Sequence, residues 1–320
     1  MRNALLFMLM MFGASLCLGA KVYPSKPVRI VVPSGPGSGS DIVTRLISQR
    51  LAEQLGETFV VDSRAGASGT IASAIAAKSA PDGYTLLLVD TRLAIAPNLR
   101  ASVQYDVVKD FAPITQFSSN SSVLVVHSAV KANTLKEFIA LAQAHPGKLD
   151  YASSGAGSAI HLASELFKAA AKVNIRHIPY SGGSTAALVG VAGGQVQMMM
   201  PTIASVLPYV KNGQMRALAV TGDEHSPSMP DVPSFGEAGV PRMADYVWYG
   251  FVGPAGMPKE VVNKLHAEVT KALAVPAVKQ RFIALGSKLV GSSPEEFSKH
   301  IRSELQRWAE VVKSAGITPE

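Results

Sequence analysis

The feature that most narrows the folding options is the run Val28-Arg29-Ile30-Val31-Val32, with Pro33-Ser34-Gly35-Pro36-Gly37-Ser38-Gly39-Ser40-Asp41 behind it and an amphipathic stretch to Leu55. The first five residues are short, β-branched and almost wholly apolar, which predicts a strand covered on both faces. Gly35, Gly37 and Gly39 allow a sharp turn and close approach by another molecule. Ser38, Ser40 and Asp41 are good N-cap residues, and Ile42, Val43, Leu46, Ile47, Leu51 and Leu55 then share one helical face. A helix N-terminus carries unpaired N–H groups and partial positive charge, so a small anion can rest there without a metal. A tight βα turn that binds nothing is the bland alternative.

Repetition favours the functional reading. Phe59-Val60-Val61 is a second strand, leading through Arg64 to Thr70 into a helix over Ile71, Ile75 and Ala76. Tyr84 to Val89 is a third strand, with Asp90-Thr91-Arg92 at its carboxyl end. Val123 to Val126 opens a second copy of the scheme. There Ser153-Ser154-Gly155-Ala156-Gly157-Ser158 follows the strand Leu149–Ala152 and feeds a helix with Ile160, Leu162, Ala163, Leu166 and Phe167. A third such loop is Tyr180-Ser181-Gly182-Gly183-Ser184, and the strand from Gln195 to Met200 ends in Pro201-Thr202. Strands alternating with helices predict parallel, doubly wound sheets that bind ligands beyond their carboxyl ends.

Met215 to Thr221 and the aromatic segment Tyr246 to Val252 complete the strands. The Pro-rich segment from Pro227 to Pro241 reads as a long surface connection, and three helices finish the chain, roughly 259–273, 276–285 and 294–315. The middle of the chain is then an insertion. Residues 21–122 and 223–320 form one domain, 123–222 the other, and two crossovers make a hinge with a cleft between them.

Residues 1–20 read as a removable secretory leader: Arg2, an apolar run from Leu5 to Phe12 too short to span a membrane, and small residues at Gly19-Ala20. A lipid anchor on Cys17 is disfavoured by Leu16 before it. Cys17 is the chain's single cysteine, so the mature protein forms no disulfide. The 30 Lys and Arg against 23 Asp and Glu give a net charge of +7, of which the leader's Arg2 supplies one. These charges are scattered, with no zinc-finger or RNP-type spacing, so nucleic acid is not an expected partner.

Several chemistries lack their motifs. There is no Gly-x-Ser-x-Gly elbow, no Gly-Lys-Ser/Thr after a glycine loop, and no third glycine for a dinucleotide fingerprint. His161 and Glu165 stand one turn apart, but a metal needs further ligands; a surface pair or a loop-orienting histidine is the simpler reading. Met198-Met199-Met200 reads as core strand. No cofactor and no metal is expected.

Taken in order, further segments resemble the Bug-type solute receptors of tripartite tricarboxylate transporters. They include Tyr23 to Arg29, the Pro33–Asp41 loop, Pro81-Asp82-Gly83-Tyr84-Thr85-Leu86-Leu87, Tyr105-Asp106 with Lys109 to Ile114, and Pro146-Gly147-Lys148-Leu149. His161-Leu162-Ala163 with Glu165-Leu166-Phe167, Arg216 to Thr221, Pro230 to Pro233 with Glu237 to Pro241, and Gly253-Pro254-Ala255-Gly256 continue the match over nearly the whole mature chain. The resemblance implies an α/β fold of the type II periplasmic binding-protein class. It implies capture of a small organic carboxylate in the periplasm for membrane permease subunits, by a monomer without catalysis. A sensor for a membrane kinase, or an enzyme on the same scaffold using His161 or Asp41, are the alternatives.

The candidate ligand-binding residues are Gly37, Ser38, Ser40, Asp41, Thr91, Arg92, Ser154, Gly155, Gly157, Ser158, His161, Tyr180, Gly182, Thr202 and Trp248. Two departures from the family bear on the ligand. Pro201 stands where many relatives carry an acidic residue, which argues against an amino-acid ligand. Arg92 replaces a small polar residue and reads either as an exposed rim arginine or as a clamp on a second carboxylate. The expected ligand is a mono- or dicarboxylate without an amine, with Trp248 and Tyr249 leaving room for an aromatic one.

Overall fold

The computed structural model describes residues 23–99, 103–222, 224–240, 243 and 247–314; the expected leader and Cys17 lie outside them. In chain order the first strands and helices are β1 (Val28–Val32), α1 (Gly39–Leu55), β2 (Phe59–Ser63), α2 (Thr70–Ala77), β3 (Thr85–Asp90), α3 (Arg92–Leu99) and β4 (Phe111–Asn120). The middle of the chain holds β5 (Val123–His127), α4 (Leu135–Ala144), β6 (Asp150–Ser153), α5 (Ala159–Ala171), β7 (Arg176–Pro179), α6 (Gly183–Ala192), β8 (Met198–Met199), α7 (Ile203–Lys211) and β9 (Met215–Val220). It closes with β10 (Val247–Pro254), α8 (Lys259–Ala274), α9 (Pro276–Ala284), β11 (Ser287–Leu289) and α10 (Pro294–Ser314).

These strands form two sheets, ordered β11-β4-β10-β3-β1-β2 and β7-β6-β8-β5-β9. The parallel pairings expected from the alternation hold for β1 with β2 and β3, and for β6 with β7 and β8. The sheets are nonetheless mixed. β10 runs antiparallel between β3 and β4, and β5 runs antiparallel to β8 and β9. The cause is connectivity: β10 begins opposite the end of β4, Val247 facing Asn120, where the chain returns from the second sheet, so it can only run back.

β1 is almost entirely buried, and Val43, Ile47 and Leu51 of α1 bury the stripe that the sequence marks. α1 stops at Gly56, whose φ of 72° suits a left-handed C-cap. The methionines of β8 are fully buried core. Sequence reading misses β4 as a strand, because Thr115, Gln116, Ser118 and Asn120 break its apolar pattern. They are satisfied inside: Thr115 Oγ1 donates to the Ser292 carbonyl at 2.7 Å and Asn120 Nδ2 to Ser118 Oγ at 3.1 Å. Nor does the Pro-rich connection lie wholly on the surface. Phe235 is fully buried 6.0 Å from Phe167, and its N–H donates to the Val220 carbonyl. Among the described residues no helix is long and apolar enough to cross a membrane.

Candidate functional site

The loops after β1, β3, β6, β7 and β8 converge on a cleft of about 300 Å³, bounded by both sheets' loops. From the first lobe come Ser34, Ser38, Gly39, Ser40, Ser68, Thr91, Arg92 and Tyr249; from the second come Ser154, Gly155, Ala159, Ile160, Ser181, Ser184, Thr202 and Ser205. The lining is thus mostly hydroxyls and the first turns of helices α1, α3, α5, α6 and α7. First-turn amides have no acceptor within their own helix, so the cleft is edged with N–H donors and positive helix ends.

Each helix start is fixed by its sequence. Ser38 caps α1, its hydroxyl accepting from Asp41 N at 3.3 Å; Ser158 caps α5, accepting from His161 N at 3.2 Å. Ser34, Ser38 and Ser40 form one hydroxyl cluster beneath the first loop. The lobes already touch at the cleft mouth. Ser68 Oγ donates to the Ala156 carbonyl at 3.0 Å and Thr185 Oγ1 to the Pro36 carbonyl at 3.1 Å.

Of the candidates read from sequence, Ser38, Ser40, Thr91, Arg92, Ser154, Gly155 and Thr202 line this cleft. Others are not among its lining residues. Asp41 is buried, accepts from Gly37 N at 3.0 Å and pairs with Arg45. His161 accepts from Gly157 N at 3.0 Å, and Gly157 itself abuts Leu99 of the first lobe. Ser158 is spent as the cap, and Gly182 is the N-cap position of α6. Tyr180 lies over Gly190, two turns further along that helix than the lining Gly183.

Trp248 is placed away from the cleft. It is buried against Phe297 and His300, and its Nε1 donates to Glu304 at 2.9 Å. Strand parity is the reason: successive β10 side chains point to opposite faces, so Val247 and Tyr249 line the cleft and Trp248 cannot. Parity by itself says that only one of the two neighbours can line the cleft, not which one. Ser205, one turn beyond Thr202, was open to reasoning from helical spacing, whereas Ser34, Ser68, Ser122 and Ser184 carry no distinguishing pattern.

Arg92 is neither an exposed rim residue nor a ready clamp. Its side chain is 16% exposed and grips Asp90 through Nε at 2.9 Å and Nη2 at 2.5 Å, while Nη1 donates to the Pro33 carbonyl at 2.8 Å. Burial works against the guanidinium charge, but Asp90 outweighs it and raises the pKa. The pair ties the end of β3 to the end of β1 and presents little net charge to the cleft.

Behind the second-lobe loop lies an aromatic stack. The His161 and His177 rings are 4.1 Å apart and His177 lies 4.9 Å from Tyr151. His177 Nε2 meets Ser153 Oγ at 2.6 Å, and burial lowers the His177 pKa to about 4. Burial and then Glu165, which accepts from the Tyr151 hydroxyl at 2.5 Å, push the Tyr151 pKa up. Burial alone would raise the Glu165 pKa; Lys168 and Tyr151 hold it below the usual range instead. Among the described residues no group of three or more His, Cys, Asp or Glu side chains is placed to hold a metal ion.

Two α/β lobes joined by two crossings, with helix N-termini facing each other over a hydroxyl-lined cleft, define a solute-binding receptor. The sequence places it within that class: residues 43–317 match the profile of the tripartite tricarboxylate transporter family receptor, and the chain belongs to that family of periplasmic binding proteins. It is 35% identical to the protein BugT of Bordetella pertussis over 95% of this chain and 94% of that protein. Two solved structures from Rhodopseudomonas palustris are similar. Rpa4515 with adipate is 33% identical with a TM-score of 0.90, covering 93% of this chain and all of the other. MatC with bound malate is 31% identical with a TM-score of 0.84, covering 91% and 100%.

Proposed function

We propose that this receptor captures a small dicarboxylate without an amine, held between the lobes, and delivers it unchanged to permease subunits of a tripartite tricarboxylate-type transporter. The observation that carries this is the convergence of helix N-termini and hydroxyls from both lobes on one cleft whose arginine is already paired. Such a lining favours anions through backbone dipoles, without a free cationic side chain. One carboxylate sits at the start of α1, the other at the start of α5. Asp90, the carboxylate on the lining, is taken up by Arg92, leaving it poorly placed to receive an ammonium group. The adipate and malate bound by the two relatives are dicarboxylates of this kind.

The hinge follows from the two crossings, near residues 120–123 and 220–222. There Thr221 N donates to the Ser122 carbonyl at 2.9 Å and Ser122 N to Thr221 Oγ1 at 2.8 Å. The lobes are accordingly assigned as 21–122 with 223–320, and 123–222. The leader at 1–20 is removed on export and the receptor works as a monomer. Catalysis is disfavoured because Asp41 and His161, the groups an enzyme would draw on, are not among the residues lining the cleft and each accepts from a loop amide.

A thermal-shift screen of adipate, malate, aspartate and glutamate tests the reading. A ligand at 100 times its Kd adds about 2.7 kcal/mol of stability, a clear rise in Tm. Stabilisation by the dicarboxylates, with no turnover product by mass spectrometry, is expected; tight aspartate or glutamate binding overturns it.

A further inference from the structure

The two principal cleft loops are the same device built twice. In the first, Ser38 N donates to the Gly35 carbonyl at 3.3 Å, Ile42 N to the Ser38 carbonyl at 3.0 Å, and Asp41 N to Ser38 Oγ at 3.3 Å. In the second, Ser158 N donates to Gly155 at 3.2 Å, Leu162 N to Ser158 at 3.0 Å, and His161 N to Ser158 Oγ at 3.2 Å. Gly37 and Gly157, at φ 77° and 70°, adopt the same left-handed turn. Each then sends its N–H back to the side chain four residues on, Asp41 or His161, at 3.0 Å in both. In these bonds the loops agree, but a carboxylate closes the first and an imidazole the second.

The neighbours explain the exchange. One turn beyond Asp41 stands Arg45, whose guanidinium chelates it at 2.9 to 3.0 Å. One turn beyond His161 stands Glu165, already holding Tyr151 and Lys168. A second carboxylate at 161 would face Glu165 as a like charge at i,i+4 in a buried place, and would add negative charge beneath an anion-binding helix start. A neutral acceptor avoids both.

We infer that His161 is the positioning residue of the second-lobe loop. Its neutral Nδ1 fixes the Gly157 amide inward, and so aims the first turn of α5 at the ligand, as Asp41 does for α1. His161 does not itself line the cleft. Its ring is held in plane by the stack on His177, which anchors the loop's other end through Ser153, whose hydroxyl accepts from Gly155 N at 3.1 Å. This assignment rests on the anion-binding cleft proposed above and adds the requirement for an uncharged acceptor at 161.

Amide exchange of Gly157, followed by NMR on the intact mature chain, and adipate titration by calorimetry together test it. Asn carries Oδ1 where His carries Nδ1, so H161N is expected to keep Gly157 protected and to recover most of the affinity that H161L loses. H161L should expose the amide, with exchange faster and adipate affinity weaker by about tenfold each, the size of one lost hydrogen bond. H161D should bind more weakly than H161N, although Asp serves at 41. A core-filling role predicts the reverse, with Leu tolerated better than Asn. Equal Gly157 protection in wild type and H161L, or H161D matching H161N, overturns the inference. If H161L fails to fold, the H161N and H161D pair decides alone. If adipate does not bind the wild type, the ligand proposal fails while the exchange measurement still judges His161.

Discussion

Gly39 of the first lobe and Thr202 of the second meet across the cleft so closely that a Cβ on Gly39 would collide with the Thr202 hydroxyl, and would come within 2.9 Å of the Tyr249 hydroxyl. Unlike Gly37, Gly39 has an ordinary φ and is the first residue of α1. Alanine there is therefore free of backbone strain and, if anything, favours the helix.

Gly39→Ala is accordingly expected to weaken ligand binding by about tenfold or more, or roughly 1.4 kcal/mol, while lowering the Tm of the ligand-free protein only slightly, because the Tyr249 hydroxyl of the same lobe must shift to admit the Cβ. Calorimetry beside thermal melts separates the two effects. Thr202→Ala added to Gly39→Ala should return part of the affinity. A Gly39→Ala variant with wild-type affinity would show that the lobes do not close to this distance.

Removing Arg92 strands the buried Asp90 carboxylate. Arg92→Ala should lower unfolding free energy by about 3 kcal/mol even without ligand, the usual cost of breaking a buried ion pair from one side. Asp90→Asn together with Arg92→Ala should be less damaging than Arg92→Ala alone, because no uncompensated charge remains. Urea titrations of the three proteins measure this; an Arg92→Ala that binds poorly yet melts normally would restore the direct-clamp role.

The adjacent aromatics of β10 should behave oppositely. Trp248→Phe removes a donor to buried Glu304, which also accepts from Trp308 Nε1 at 2.9 Å, and should cost about 1.5 to 3 kcal/mol of stability with little change in affinity. Tyr249→Phe alters the cleft lining and should change affinity instead. Paired melts and titrations check both, and a Trp248→Phe defect confined to binding would contradict the fold.

Stability should fall with acid through His177. Its pKa is about 4 in the folded protein against 6.5 for an ordinary histidine, so the unfolded chain binds the proton first. The neutral-state advantage is complete above pH 6.5 and is lost as pH drops from there towards 4. Because the ring is only half-buried, solvent screening trims the effect to roughly 1 to 2 kcal/mol. Urea midpoints at neutral and acid pH should show this slope, and His177→Gln should flatten it; an unchanged slope would assign the acid sensitivity elsewhere, for instance to His300, whose pKa burial also lowers.

Local chemistry was decisive wherever a residue's partner lies within a turn or two of it. The strand at Val28–Val32, the capped start of α1 at Ser38, its repeat at Ser158 and the glycines between them are all set by short-range rules of propensity, capping and backbone freedom. Order along the chain likewise put the repeats in two halves, and the family motifs pointed to a carboxylate receptor.

Where each side chain finds its partner depended on the folded chain. Arg92 looked like a clamp until Asp90 and Pro33 came within its reach. Trp248 and Tyr249 are neighbours in sequence but face opposite sides of β10, and nothing local says which side holds the cleft. β4 was hidden because its polar residues find their partners in the distant segment 286–292 and in β10. The physical reason is common to all three: hydrogen bonding and burial are settled by atoms brought together from far along the chain, and a sequence fixes those meetings only through the whole fold.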